Sequence, residues 1–184
     1  MKGKLGGQFK AERNCIKRTI LFMVMFIGCM LTGGCDAGDT GSDEGVAIYL
    51  SETELQPSTV QSLQDLKIGS QPVISMKDIM SYNRKLHSIT LTREAYQKLA
   101  ELYVPMSGRV FVVCVNRRPV YWGAFWSTLS SISFGGVVIP VPLISPSETI
   151  SLELGYPTQG FFTGEDPRDN PAIMQVLQKA GKLE

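Results

Sequence analysis

The sequence predicts an α+β fold: a small mixed or antiparallel sheet with hairpins, packed against one main helix and a C-terminal helix. Three observations support this prediction. Short apolar or alternating runs predict strands, apolar residues at helical spacing predict helices, and strands lie on both sides of the main helix in the sequence. Hairpin-type connections join these strands, whereas repeated strand–helix–strand units would build a parallel sheet.

Six strands are predicted from apolar runs bounded by glycine, proline or polar residues. They are residues 46–50, 88–92, 110–115, 120–126, 137–141 and 150–154. The third and fourth strands flank residues 116–119, which predict a hairpin loop. Because proline has no N–H to donate to a ladder, Pro119 belongs at a strand start, and Pro140 places part of the fifth strand at a sheet edge.

Two helices are predicted by N-cap residues and apolar spacing. Thr92 caps the main helix over 93–103, where Ala95 and Leu99 begin an apolar stripe. Asn170 caps a C-terminal helix that begins at Pro171.

The region before the main helix is less regular. Residues 51–72 are polar and predict an excursion over the surface, with one or two helical turns. Ser75 is a candidate N-cap for a short helix over 76–82, because Asp78 lies three residues later as in a capping box.

Residues 1–34 have the features of a targeting segment. The side chains of the first 35 residues carry a net charge of +5, and the apolar run 20–31 is 12 residues long. A membrane-spanning helix needs about 20 apolar residues, so this run is typical of a signal peptide. The alternative is an uncleaved anchor that ends at Gly33 and Gly34.

The stretch Leu31-Thr32-Gly33-Gly34-Cys35 resembles the lipobox of bacterial lipoproteins. In that family a diacylglycerol is joined to the cysteine thiol and the signal is cut off just before it. The resemblance implies a lipid anchor on Cys35 and a location on the extracytoplasmic side of a bacterial cell membrane or envelope. Two features depart from the pattern: Thr32 occupies the usual leucine position, and Cys29 is an alternative acceptor.

Residues 35–45 are predicted to be a lipid-anchored flexible tether, and residues 46–184 a single globular domain. A flexible chain of ten residues reaches about 17 Å. The whole chain carries a net charge of +1, so the residues from 36 onwards carry −4. An acidic domain lacks the basic surface that neutralises phosphates, which argues against nucleic-acid binding.

No metal or cofactor is predicted. Cys114 is the only cysteine after Cys35, and the apolar run around it predicts a buried, inert thiol rather than a nucleophile. The chain has no Cys/His spacing for zinc. The loop 164–170 has three carboxylates but lacks the alternating oxygen ligands of a calcium loop.

A Ser–His–Asp site would have to use His87, the only histidine, with Asp78 or Asp65 as the orienting acid. The candidate nucleophiles are Ser127, Ser130, Ser131 and Ser133. No Gly-x-Ser-x-Gly turn exposes a serine, and a histidine at a strand start is expected to be an ordinary surface residue. An envelope hydrolase using His87 is therefore an alternative function, and a structural envelope component is another.

The best candidate for a binding site is an aromatic strand and the hydroxyl residues after it. Alternation places Trp122 and Trp126 on one face of the fourth strand, and Ser127 and Ser130 follow. Tryptophan is favoured at interface hot spots. The alternative is a sheet that is covered on both faces.

Residues 89–141 are similar to the extracytoplasmic head of the SecD protein-export subunit. The shared order is a strand, a helix, Gly108-Arg109, an apolar strand, a hairpin and a second strand. The resemblance implies an α+β module that contacts a substrate or protein. Residues 116–118 replace the tight Asp-Gly turn of that family. The sequence thus predicts a membrane-anchored lipoprotein acting as a non-catalytic binding or accessory module, for a protein or peptide partner.

Overall fold

The computed structural model describes residues 45–143 and 145–184. The targeting segment, Cys29, Cys35 and the tether up to residue 44 lie outside the described residues, so the predictions made for them stay predictions. No helix in the described ranges is long and apolar enough to cross a membrane.

The described residues form nine strands and two α-helices, and the α+β prediction is confirmed. The strands are β1 (Val46–Ser51), β2 (Ile68–Ile74), β3 (Ile79–Asn83), β4 (Ser88–Leu91), β5 (Arg109–Val115), β6 (Arg118–Ser127), β7 (Phe134–Val141), β8 (Thr149–Ser151) and β9 (Glu153–Tyr156). The helices are α1 (Arg93–Ala100) and α2 (Pro171–Lys179). Thr92 and Asn170 cap them as predicted, since their side chains accept from the N–H groups of Ala95 and Ala172.

Two sheets make up the β-structure. The large sheet has the order β2-β1-β5-β6-β7-β9, and the small sheet has the order β3-β4-β8. Neighbouring strands are antiparallel except for β6 and β7, which are parallel. Pro140 lies beyond Val138, the last β7 residue paired with β9, so it stands at an edge as predicted.

The two faces of the large sheet are covered differently. Its inner face packs against the small sheet, α1 and α2 around buried residues such as Phe111, Phe125 and Ile139. Its outer face is covered near β1 and β5 by the excursion 52–67, and near β6 and β7 by aromatic side chains. The sheet is therefore covered on both sides, and its central strands β1 and β5 are apolar in nearly continuous runs.

Two ends of the large sheet are distinguished by where the chain enters. At the tether end, Gly45 and Asn116 exchange hydrogen bonds: Gly45 N donates to Asn116 Oδ1 at 2.7 Å, and Asn116 N donates to Gly45 O at 2.8 Å. The turn of the β5–β6 hairpin lies at this end, with Asn116 and Arg117 at positive φ. The far end is where β5 begins and β6 ends, with Arg109 opposite Phe125.

Residues 76–82 do not form the predicted helix. Asp78 accepts from the backbone N–H and the hydroxyl of Ser75, so the pair closes a turn, and the strand β3 follows at once. Capping residues stabilise an isolated turn as readily as a helix start, and pairing of β3 with β4 decides the outcome.

Two further predictions differ from the structure. The excursion contains the helical turns Pro57–Thr59 and Leu63–Asp65, as predicted. Its last residues belong to the edge strand β2, which the sequence does not predict because Gly69 and Pro72 are unfavourable in strands. Residues 150–154 are not one strand, because Leu152 separates β8 from β9 and the two pair in different sheets.

Candidate functional site

Four aromatic rings lie together on the outer face of the large sheet. Trp126 stacks on Phe134 with ring centroids 5.0 Å apart, and Tyr156 lies 6.0 Å from Trp126. Trp122 lies 5.9 Å from Phe134. Gly136 permits this arrangement, because a Cβ there would be 2.6 Å from the Phe134 ring.

Trp126 itself is a packing residue. Its side chain is only 2% exposed, and its ring lies so close to Gly108 that a Cβ at that glycine would be 2.4 Å away. Its indole N–H is buried and has no hydrogen-bond partner within the described ranges. A ring held this way contributes to stability, as the covered-face alternative describes, while Trp122 stays half-buried.

Ser127 and Ser130 are buried and shape the β6–β7 connection, residues 128–133. The Ser127 hydroxyl accepts from Leu129 N at 3.3 Å. The Ser130 hydroxyl donates to Met106 O at 2.7 Å and accepts from Ile132 N at 3.1 Å. Both hydroxyls are thus engaged within the protein, so their role in the structure is to hold the connection in place.

Tyr156 holds the same connection from β9. Its hydroxyl lies 2.9 Å from Thr128 O and 3.0 Å from Ser130 O. The hydrogen bonds of Tyr156, Ser127 and Ser130 thus hold the β6–β7 connection in place next to Trp126.

The connection and its neighbouring loop present large apolar side chains to solvent. Leu129 is 79% exposed and Ile132 is 50% exposed; in the loop before β5, Tyr103 is 75% and Met106 is 50% exposed. We call these four residues the far-end apolar surface. The Ser130–Met106 hydrogen bond joins the two loops. A cluster of exposed large apolar residues is typical of an interaction surface, whereas single ones are ordinary.

The sequence pattern predicts the strand below this surface but not the surface itself. Leu129 and Ile132 stand in the run Ser-Thr-Leu-Ser-Ser-Ile-Ser, where neither helical spacing nor strand alternation indicates which side chains are exposed. The available signal was the presence of large apolar residues inside an otherwise polar connection.

The structure does not bring the candidate Ser–His–Asp residues together. His87 Nδ1 lies 3.0 Å from the Tyr82 hydroxyl, next to the turn of the β3–β4 hairpin. Asp78 binds Ser75 at the other end of that hairpin, and Asp65 lies in the excursion on the outer face of the large sheet. Burial and then the positive charge of Arg168 lower the pKa of His87, which keeps the imidazole neutral near pH 7.

The acidic loop is occupied by ion pairs. Asp166 Oδ2 lies 2.7 Å from Arg168 Nη2, and Asp169 Oδ1 lies 3.1 Å from Arg84 Nε. Hydrogen bonds from Arg168 lower the pKa of Asp166. Within the described ranges, no group of three His, Cys, Asp or Glu residues is close enough to hold a metal.

Cys114 is buried, as its apolar run suggested. Burial raises the pKa of its thiol to about 11, so the thiol stays protonated and unreactive near neutral pH.

Comparison with known proteins adds no family to this description. Neither a family model, nor a curated protein, nor a solved structure matches the chain. The resemblances to a lipobox and to the SecD head therefore remain predictions from the sequence.

Proposed function

We propose that this protein is a lipid-anchored extracytoplasmic binding module that captures a protein partner through its far-end apolar surface. One observation supports the proposal most directly: Tyr103, Met106, Leu129 and Ile132 are each at least half exposed, and they lie on two loops joined by a hydrogen bond. The lipobox-like segment ending at Cys35 supports the anchor.

The far-end surface is held in shape before binding. Ser130 bonds to Met106 O, Arg109 Nη1 donates to Tyr103 O at 3.0 Å, and Tyr156 holds the carbonyls of the β6–β7 connection. Loops fixed in this way lose less conformational entropy on binding, which favours affinity. Burying a large apolar side chain contributes about 1.5–3 kcal/mol, so four of them support a reversible complex.

The position of this surface favours a protein over the bilayer as the partner. The chain enters the domain at Gly45, at the tether end of the sheet, whereas Met106 and Leu129 adjoin the far end. The seven residues of β5 separate these ends by about 20 Å at roughly 3.3 Å per residue. This separation, added to a tether reach of about 17 Å, allows the surface to meet a protein beyond the bilayer.

Site-specific crosslinking in the native envelope tests the binding surface. A photoreactive residue at position 129 is expected to crosslink to one discrete partner, because Leu129 is the most exposed residue of the proposed surface. The matched control is position 80, since Met80 is also exposed but lies on β3. Equal crosslinking from both positions would contradict the proposal.

A double variant separates binding from folding. Leu129→Ser with Ile132→Ser is expected to abolish capture of that partner and to change the free energy of unfolding by less than about 0.5 kcal/mol, because both side chains are exposed. Retained capture would mean that the partner binds elsewhere.

Membrane fractionation tests the anchor. Cys35→Ser is expected to release the protein from the membrane fraction, while Cys29→Ser stays bound. If Cys35→Ser remains in the membrane fraction, an uncleaved helix or a lipid on Cys29 holds the protein.

A further inference from the structure

A candidate second site lies beside β9, and none of the four residues of the far-end apolar surface lines it. It is a cavity of about 340 Å³. Its lining consists of Leu86, Ser151, Leu152, Glu153, Leu154, Gly155, Thr158, Gln159 and Arg168. Most of this lining is polar or backbone, so the cavity differs from the apolar pockets that usually hold drug-like molecules.

The cavity lies beside β9, at the point where β4 stops pairing with the chain that runs from β8 into β9. β4 pairs with β8 up to Ser88 opposite Ser151, and Leu152 N then donates to His87 O at 2.8 Å. His87 has a φ of +47°, which turns the chain away from this edge into the β3–β4 turn. The line that β4 would follow along β9 is therefore open, and Leu86 and Thr158 stand beside it.

Strand alternation shows which backbone groups face the open position. In a strand, the N–H and C=O of one residue point to the same edge, and successive residues alternate. The N–H of Leu152 bonds to His87, and its C=O accepts from Arg168 Nη1 at 2.6 Å, so both groups point towards the β4 edge. β9 pairs with β7 at both Glu153, opposite Val138, and Leu154, opposite Val137. Where alternation continues from Leu152, the N–H and C=O of Glu153 point to β7, and those of Leu154 point to the opposite edge, which lines the cavity.

The charges around the cavity disfavour an anion. Arg168 is already paired with Asp166 through Nε and Nη2, and Glu153 adds a carboxylate to the lining. Burial and Arg168 lower the pKa of the nearby His87, which disfavours the cationic form that would attract an anion. A ligand with a neutral backbone that offers alternating donors and acceptors fits these groups better than a phosphate or an acidic sugar does.

We propose that this cavity binds an extended peptide segment, which continues the line of β4 and pairs with the free edge of β9 at Leu154. This is recognition by strand addition, in which backbone hydrogen bonds provide affinity and neighbouring side chains provide selectivity. Thr158 and Gln159 form the wall that contacts the side chains of the added peptide.

Amide hydrogen exchange on the full chain tests the free edge without a ligand. The N–H of Leu154 is expected to exchange at least tenfold faster than those of Leu152 and Glu153, which are paired with His87 and β7. Equal protection of all three amides would show that Leu154 already has a partner and would overturn the proposal.

Binding is tested by NMR on the full chain labelled with ¹⁵N in detergent micelles. The probe is a pool of the sixteen acetylated, amidated tetrapeptides built from threonine and valine. The pool is expected to shift the amide signals of Leu154, Thr158 and Gln159 saturably at millimolar concentration. The same pool with alternate backbone nitrogens methylated is expected to bind at least tenfold more weakly, because it lacks the donors that pair with the edge.

Variants locate the site and separate it from the proposed function. Gln159→Trp fills the cavity and is expected to remove the shifts, whereas Gln178→Trp, at an exposed position on α2, is expected to leave them. The Leu129→Ser, Ile132→Ser protein is expected to bind the peptides normally. Shifts that survive methylation or the Gln159→Trp change would overturn the proposal, as would shifts produced by an N-acetylglucosamine disaccharide and not by the peptides.

Discussion

Both faces of the large sheet are covered by other parts of the chain, but the covers are built by different means. The inner face is covered by regular elements: the small sheet, α1 and α2. The outer face is covered by irregular chain, namely the excursion 52–67 and the β6–β7 connection, and by flat aromatic rings.

This difference shows what each kind of cover requires. Regular elements satisfy their own backbone hydrogen bonds and only need apolar side chains on one side. Irregular chain over a sheet must have its backbone groups bonded individually. On the outer face Tyr156, Ser127 and Ser130 provide those bonds, which explains buried hydroxyls beside an aromatic cluster.

We expect the largest loss of stability from truncating one buried ring on each face of the sheet. Phe125→Ala on the inner face and Trp126→Ala on the outer face should each lower the free energy of unfolding by about 3–5 kcal/mol, because both rings are buried and their removal leaves a cavity. Urea unfolding of both variants checks this. A loss below about 1 kcal/mol for Trp126→Ala alone would mean that the outer-face rings are accessible to solvent or ligand. The two faces would then not contribute equally to stability.

An intermediate effect is expected from the hydrogen bonds that fasten the outer cover. Tyr156→Phe keeps the ring beside Trp126 but removes the hydroxyl near Thr128 O and Ser130 O, and should reduce the free energy of unfolding by about 1–2 kcal/mol. It should also make the tryptophan fluorescence more accessible to acrylamide, because the connection above Trp126 is loosened. Tyr103→Phe is the control, since Tyr103 is exposed; equal quenching in both variants would show that the hydroxyl does not fasten the cover.

The sequence predicted the regular cover better than the irregular one. Thr92 and Asn170 were recognisable as caps because one local hydrogen bond decides their role. Asp78 was misread because the same bond to Ser75 serves a turn, and pairing with a distant strand decides between turn and helix.

The candidate binding site was predicted only in part, for a related reason. Alternation correctly placed Trp122 and Trp126 on one face, but it carries no information on which segment crosses that face. That crossing depends on Ser130 reaching Met106, 24 residues away in the sequence, and on Tyr156 of β9. Contacts of this kind leave no periodic signal.

A smaller effect is expected at a cap on the inner side. Asn170→Ala removes the acceptor for Ala172 N, which lies 3.0 Å from Asn170 Oδ1, and should lower the free energy of unfolding by about 1 kcal/mol. Thermal or urea unfolding checks this against Gln178→Ala, an exposed change in the same helix. If Asn170→Ala changes the free energy of unfolding no more than the control does, α2 is held by its packing alone. The regular cover of the inner face would then depend even less on individual hydrogen bonds than the outer cover does.

The smallest effect is expected at the polar rim of the inner side, where His87 meets Tyr82. Burial and Arg168 lower the pKa of His87 below its usual value near 6.5, with Asp166, Asp169 and Arg84 also nearby. As the pH falls below about 6.5, the unfolded chain takes up this proton first, so the folded state loses stability. The pKa of Asp166 is lowered as well, so its contribution is lost only below about pH 4.

His87→Asn removes the titrating group and suits the positive φ at this position, because asparagine tolerates the left-handed region. We expect the variant to lose less stability than the natural protein between pH 7 and pH 5, as measured by the urea midpoint at each pH. The Tyr82 hydroxyl, whose pKa is raised to about 12, does not titrate in this range. An unchanged pH dependence in His87→Asn would mean that His87 has the same pKa in the folded and unfolded chain. The histidine would then be solvated like a surface residue, and the buried inner side would extend only as far as Tyr82.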